Sequence, residues 1–159
     1  MISLRPLTED DFDLIYEWEN LPELRNVSEQ KGPFSKEEIH SFLGKCLDNS
    51  NPEIERMLIC MDSFPIGAVD FFDFDISKSC CGIGIFITKA ENRKKGFGTL
   101  ALKKAIHELK LRGCTLIRCI IYADNISSMR LFSNAGFVAG AMLLFKGKPA
   151  QQFILTHQA

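Results

Sequence analysis

Hydrophobic positions along this chain switch between two periods, and the switches mark out a succession of short strands and helices. Residues 2–7 alternate apolar and polar side chains, which predicts an opening strand. Thr8 follows as a helix cap, with Asp10 and Asp11 in a first turn where the helix dipole favours anions. Phe12, Ile15, Tyr16 and Trp18 then recur at helical spacing to about Asn20. Residues 21–33 show no period and hold two prolines and a glycine, so they read as a loop. Ser35 with Glu38 forms a capping-box pattern. The helix it opens carries Ile39, Phe42, Leu43, Cys46 and Leu47 on one face and ends near residues 48–52.

The pattern then shortens. Residues 56–61 and 66–74 read as strands joined by an Asp62-Ser63 turn, a hairpin, and residues 80–87 as a third strand. Leu100, Leu102, Ala105, Ile106 and Leu109 return to the helical period over residues 99–111, and Gly113 ends that helix. Residues 116–122 are almost continuously apolar, as a buried strand is. Asn125 opens a short helix through Met129, Leu131 and Phe132 to Ala135-Gly136. Residues 138–145 and 152–156, joined through Gly147-Lys148-Pro149, make a closing hairpin. A strand, two helices, a three-strand meander and then a β-α-β unit predict an α+β domain, with a mixed sheet and helices on its faces. No internal repeat or linker interrupts residues 1–159, which read as one domain.

Composition narrows the function classes. At 159 residues, with 46% hydrophobic and 25% charged side chains, the chain has the make-up of an ordinary soluble domain. No stretch is long enough to cross a bilayer, and the start lacks the charged and apolar regions of a secretory signal, so the cytoplasm is expected and a membrane is not. Of the six cysteines, Cys60, Cys114 and Cys119 sit in apolar runs, Cys80 and Cys81 are adjacent, and no Cys-x-x-Cys occurs. With His40, His107 and His157 scattered, we expect reduced thiols and no metal.

The net charge of −1 hides an asymmetry. Residues 1–60 carry 13 acidic and 6 basic side chains, a balance of −7, and residues 61–159 carry 7 and 13, a balance of +6. Such a chain can hold a cationic substrate beside an anionic cofactor, although charges that merely coat a surface give the same count. Basic and aromatic residues do not interleave, so nucleic acid is not an expected partner.

Chemistry concentrates at Arg93-Lys94-Lys95-Gly96-Phe97-Gly98, between the third meander strand and a helix beginning near Thr99. Glycines there allow a tight turn that brings backbone N–H groups against an anion, and the helix N-terminus adds partial positive charge. A pyrophosphate suits this construction. Gly96-x-Gly98-x-x-Ala101 also fits a loose dinucleotide fingerprint, but it lies late in the chain and no carboxylate follows at residues 115–118.

A second constellation lies one strand further on: Asn125-x-x-Ser128-x-x-Leu131-Phe132-x-Asn134-x-Gly136-Phe137. With both motifs in view, the chain resembles the GNAT superfamily of acetyl-CoA-dependent N-acetyltransferases. The resemblance extends through Leu4-Arg5-Pro6-Leu7-Thr8 and Pro65-Ile66-Gly67. It implies a mostly antiparallel central sheet flanked by helices on both faces, and acetyl-CoA as cosubstrate. Arg93, Lys94, Lys95, Gly96, Phe97, Gly98 and Thr99 would wrap the pyrophosphate. Ile85, Phe86 and Ile87 would pair with the pantetheine amides like a neighbouring strand. A splay between residues 84–87 and 116–122 would admit the thioester, with Asn125, Ser128 and Phe132 near the pantetheine arm.

Two departures from the family pattern bear on mechanism. Phe132 stands where many members carry the Tyr that protonates the departing thiolate, and Ile120 where members resembling peptide N-terminal acetyltransferases carry a Glu. Asp70, among apolar residues, either faces solvent or has a raised pKa suited to base work. Tyr122 either donates a hydrogen bond at the splay or is an ordinary core tyrosine. On the acceptor side, which the first two helices line in the family, Trp18, Glu19 and Arg25 are candidate substrate contacts, in a region made acidic by Glu17, Glu23 and Glu29. The expected reaction is direct acetyl transfer to a primary amine: a polyamine, an amino sugar or a protein N-terminus. A homodimer is compatible with it. The rival readings are a non-catalytic acyl-CoA-binding or sensing domain and a nicotinamide-dependent enzyme.

Overall fold

The computed structural model describes residues 1–25, 33–48, 50 and 53–157, and of Arg25 the backbone alone. Strands β1 (Ile2–Pro6), β2 (Ile54–Met61), β3 (Phe64–Asp75), β4 (Cys80–Ile87), β5 (Leu116–Tyr122), β6 (Val138–Phe145) and β7 (Lys148–Thr156) form one sheet in the order β1-β2-β3-β4-β5-β7-β6. Only β4 and β5 run parallel; every other neighbouring pair is antiparallel. Helices α1 (Phe12–Glu19), α2 (Pro22–Arg25) and α3 (Lys36–Leu47) precede β2, α4 (Phe97–Leu111) makes the β4–β5 crossover, and α5 (Ile126–Asn134) follows β5.

Period-two alternation in β2 and β3 gives the sheet two apolar faces. Leu58, Cys60 and Ala68 pack with Ile15, Trp18, Ile39 and Leu43 of α1 and α3. Ile59, Val69, Phe71 and Ile83 pack with Leu102, Ala105 and Leu109 of α4 and with Phe132 of α5. The expected architecture, a mostly antiparallel sheet with helices on both faces, is what the chain adopts.

Local chemistry sets the boundaries. Ser35 Oγ accepts from Glu38 N at 3.1 Å, and Glu38 Oε1 accepts from Ser35 N at 3.4 Å, closing the capping box. Asp11 Oδ2 accepts from Thr8 N at 2.9 Å, while Arg5 donates to both of its oxygens at 2.9 Å and so ties α1 to β1. Asp62 and Ser63 both take positive φ, the geometry of a tight hairpin turn. Several boundaries change, among them the start of α4 at Phe97 rather than near Thr99 and the starts of β2 at Ile54 and β3 at Phe64, two residues earlier than expected. Pro22–Arg25 is a single helical turn rather than loop, β7 starts at Lys148 rather than Gln152, and Leu100 faces outward, 49% exposed. Residues 26–32, the middle of the expected loop and with it Glu29, lie outside the described residues.

Candidate active site

Parallel strands β4 and β5 touch over only three pairs, Cys80–Leu116, Cys81–Ile117 and Gly82–Arg118. Beyond them the strands part, while β4 stays paired to β3 as far as Ile87. The β5-facing edge of β4 over residues 83–87 is therefore left without a ladder partner. Backbone polar groups need one, and an extended molecule laid in this gap would supply it.

Below the gap the chain turns through residues 90–95 into α4. Arg93 shapes this turn: its Nε donates to the Ile87 carbonyl at 3.0 Å and its Nη2 to that of Thr88 at 3.5 Å. Thr88 in turn donates N–H and hydroxyl to the Ile66 carbonyl, at 2.9 and 3.1 Å. Gly96, the N-cap of α4, has φ +82°, a left-handed conformation that glycine adopts without a Cβ penalty. No side chain caps α4, so its first N–H groups point outward as donors. The start of α5 faces the same space. There Asn125 Oδ1 accepts from Ser128 N at 3.2 Å, which makes this Asn a helix cap.

These elements enclose a cleft of about 720 Å³. Ile85, Phe86 and Ile87 form one wall, Arg93, Lys94, Gly96, Gly98 and Thr99 the base, and Asn125 and Ser128 the far side. A helix N-terminus, a glycine turn and two cationic side chains give the base the chemistry that suits phosphates.

A second cavity, of about 370 Å³, lies on the α1/α3 face and is lined by Glu19, Phe34, Glu38, Ile39, Phe42 and Arg56 among others. The side chain of Arg56 is only 4% exposed. It donates Nε and Nη2 to the two oxygens of Asp70 at 2.7 and 2.8 Å, and Nη1 to Glu19 Oε1 at 2.7 Å. Its guanidinium lies 4.8 Å from the Phe42 ring centroid and 5.0 Å from that of Phe86. Burial by itself would lower the pKa of Arg56; the charges and hydrogen bonds of Asp70, and then Glu19, outweigh it and hold the pKa above its ordinary value.

A family model for the GNAT acetyltransferase domain matches residues 2–138. The chain belongs to the GNAT acetyltransferase family. Among curated proteins it is similar to acetyltransferase PseH of Campylobacter jejuni, 26% identical over 144 residues, which span 86% of this chain and 85% of that one. Among solved structures it is similar to the spermidine N-acetyltransferase of Vibrio cholerae crystallised with CoA and spermine, with a TM-score of 0.82 at 19% identity over 98% of this chain and 95% of that one. The aminoglycoside acetyltransferase AAC(6')-Ib crystallised with CoA and kanamycin superposes with a TM-score of 0.80, also at 19% identity over 98% and 95%. At these identities the structural matches speak for the fold. GNAT enzymes use acetyl-CoA as cosubstrate, and the unpartnered β4 edge above a phosphate-suited base fits that molecule.

Within this GNAT frame most of the expected cofactor residues line one cleft. Lys95, Phe97 and Phe132 do not. Phe97 packs against the core, and Phe132 is buried edge-on against Phe137 with centroids 5.0 Å apart. Arg93 reaches the cleft, but its guanidinium is directed at the Ile87 and Thr88 carbonyls, so it shapes the loop as well as charging it. Trp18 is not an exposed platform: it is buried, edge-on to Phe86 at 5.9 Å. Asp70 neither faces solvent alone nor sits unpaired among apolar groups. Both of its oxygens serve Arg56, which fits a positioning role better than proton abstraction. The Tyr122 ring lies 5.9 Å from Phe145, with Lys148 Nζ 5.6 Å from its centroid, and it does not line the cleft. The side chain of Arg25 lies outside the described residues. Glu23, expected on the acidic acceptor side, lines the cleft; sequence reasoning passed over Leu24, Asn92, Ser127 and Arg130 there, and Arg56, Phe34 and Phe42 beside it. A basic residue in an apolar strand, opposite a strand that carries Asp70, is the signal that marks Arg56.

Among the described residues no group of His, Cys, Asp and Glu could hold a metal ion, and no helix is long and apolar enough to cross a membrane. All six thiols are buried and free. Burial pushes the Cys119 thiol up to about 12 and Cys46 up to about 11.

Proposed function

We propose that this chain transfers the acetyl group of acetyl-CoA to a primary amine of a small molecule, a polyamine or an amino sugar, in preference to a protein N-terminus. The observation that carries this reading is the parting of β4 and β5 directly above the glycine turn. It offers one continuous path from a phosphate-suited base to a gap in the sheet, with Glu23 in the lining of the same cleft. Spermine and kanamycin, present in the two structures of similar fold, are cationic small amines and support the same acceptor class.

Acetyl-CoA supplies an activated thioester. In the reaction we propose, the neutral amine nitrogen forms the new C–N bond, the C–S bond breaks, and the sulfur leaves as thiolate while the nitrogen sheds its proton to water. A thiol pKa near ~8.5 makes that thiolate an acceptable leaving group without an enzymic acid. Backbone groups of residues 85–87 orient the pantetheine arm, and the N-terminus of α4 with Lys94 holds the pyrophosphate. Glu19 and Trp18 belong to the acceptor side, Glu19 by charge and Trp18 by fixing Phe86. Buried, unpaired thiols support a reducing compartment such as the cytoplasm. A homodimer completes the reading: β6 is the sheet edge and exposes Val138, Met142 and Leu144, and sedimentation velocity tests it.

A free-thiol assay over polyamines, amino sugars, aminoglycosides and short peptides decides the activity. We expect CoA release with small amines above that with peptides. One observation favours a second reading, a non-catalytic acyl-CoA-binding domain: among the described residues no Tyr, His or Cys lines the cleft, and Glu23 is its one carboxylate. A chain that binds CoA tightly and releases no thiol with any amine would establish that alternative.

A further inference from the structure

The cavity on the α1/α3 face is built around a charge imbalance. A buried guanidinium is neutralised by one carboxylate, and Asp70 already provides a two-fold pair with Arg56. Glu19 adds a second carboxylate to the same cation. Taking a second anion out of water is costly unless its lone pairs are satisfied. Glu19 gives Oε1 to Arg56, while its other oxygen makes no hydrogen bond with any described residue. Its side chain remains 23% exposed, at the wall of the cavity. Together Arg56, Asp70 and Glu19 carry a net charge of −1, and Glu38 at the rim adds another carboxylate.

The remaining walls suit a cation carried on an alkyl or ring frame. Phe34 offers an aromatic face, to which an ammonium is attracted, while Phe42, which already carries the Arg56 guanidinium, and Ile39 add apolar surface. Phe34 is fixed in place: its N–H donates to Asn20 Oδ1 at 2.7 Å, and Asn20 Nδ2 donates back to the Phe34 carbonyl at 3.3 Å. Phe86 connects this cavity to the cleft, since its ring stacks on Arg56 and also lines the cofactor wall. Strands β2 and β4 are two strand spacings apart, ~10 Å, a span that the longer linear diamines approach with a charge-assisted hydrogen bond at the far end.

We propose that Glu19 is a specificity-determining residue that holds a second, non-reacting ammonium group of the acceptor in this cavity, and that Arg56 is the positioning residue that aims Glu19 there. This rests on the acetyltransferase reading above and narrows its acceptors to amines with two cationic centres.

The test compares linear diamines of two to six carbons with monoamines of equal length, using thiol release for turnover and calorimetry for binding in the presence of CoA. Wild type should favour diamines in kcat/KM. In Glu19→Gln that preference should fall by about 10- to 100-fold, the worth of one charge-assisted hydrogen bond, through KM rather than kcat. Arg56→Met should lose the preference to the same degree and Arg56→Lys should recover part of it. Glu37→Gln, on the exposed first turn of α3, should keep it. The proposal is overturned if wild type treats diamines and monoamines alike, or if Glu19→Gln weakens both equally. It is also overturned if Glu19→Gln fails to unfold cooperatively or loses its CoA-induced thermal shift, because Glu19 would then be structural. Should no amine be turned over, calorimetry still decides: diamine binding that disappears in Glu19→Gln supports the subsite while the transfer reading fails, and no diamine binding removes both.

Discussion

Gly98 separates the fold from the cofactor site, because a side chain there is harmless to one and obstructive to the other. It is the second residue of α4 and lines the cleft. A Cβ built on it would meet nothing nearer than the Leu131 methyls, at 3.7 and 3.8 Å, ordinary van der Waals contacts. Its φ is not in the left-handed region. Gly98→Ala should therefore leave the unliganded protein as stable as wild type or more so, by up to ~1 kcal/mol from helix propensity and a stiffer unfolded chain. For a domain of this size that is a rise of roughly 2–4 °C in Tm.

The cofactor meets the opposite effect. In the proposed placement the added methyl stands where the pyrophosphate would approach the first N–H groups of α4. Losing one charge-assisted hydrogen bond costs about 1.5–3 kcal/mol, or 10- to 100-fold in Kd. Ligand binding stabilises the native state by RT ln(1 + [L]/Kd), about 2.7 kcal/mol at 100 times Kd. A 30-fold weaker Kd leaves about 0.9 kcal/mol at the same concentration, so most of the thermal shift disappears. Gly98→Trp should abolish it while the protein still unfolds cooperatively. Thermal unfolding with and without CoA measures both effects on one sample. A CoA shift equal to wild type in Gly98→Trp would refute the placement of the cofactor.

Two further substitutions follow from the geometry. At Gly67 a Cβ would come within 2.1 Å of the Phe86 carbonyl oxygen, so Gly67→Ala must part β3 from β4; overpacking costs ~1–3 kcal/mol or more, and both the urea midpoint and the CoA shift should fall. Asp11 is held below the ordinary carboxylate range, chiefly by its hydrogen bond from Arg5 and against the opposing effect of burial. A depressed acid stabilises the fold above its unfolded pKa and loses that contribution as pH falls through the folded one. The stability gap between wild type and Asp11→Asn should accordingly be full at neutral pH and close below the ordinary carboxylate range, as chemical denaturation along a pH series would show.

How far the sequence could be read depended on whether a feature was local. Helix caps at Ser35 and Asn125 and the left-handed glycines at 96, 113 and 136 depend on a few adjacent residues, and each is found where the pattern put it. Features that need a pairing register were not legible. Continuing the Met61–Phe64 register of the Asp62-Ser63 turn without interruption would set Arg56 opposite Val69. A bulge between Ile59 and Cys60 shifts the ladder by one residue and sets it opposite Asp70 instead. That single step puts both charges on the α1/α3 face, in line with Gly84 of β4. Without it Arg56 would face a valine from the opposite apolar layer, and Glu19 would have no buried partner to hold it.

The same shift bears on what Asp70 does. A carboxylate flanked by Val69, Phe71 and Phe72 reads, from the sequence, either as a solvent-facing charge or as a base whose proton affinity burial has raised. Once it is the two-fold partner of a guanidinium, both of its oxygens are engaged, and acting as a base would give up a hydrogen bond to a buried cation. Asp70→Asn therefore separates the two roles. A base would lose turnover with every amine alike, and the loss would move with pH. A positioning residue leaves Arg56 under-compensated, so the guanidinium turns to Glu19 and the loss falls on diamines. The pH profile for monoamines should then keep its wild-type shape, and a lost acidic limb in that profile would return Asp70 to catalysis.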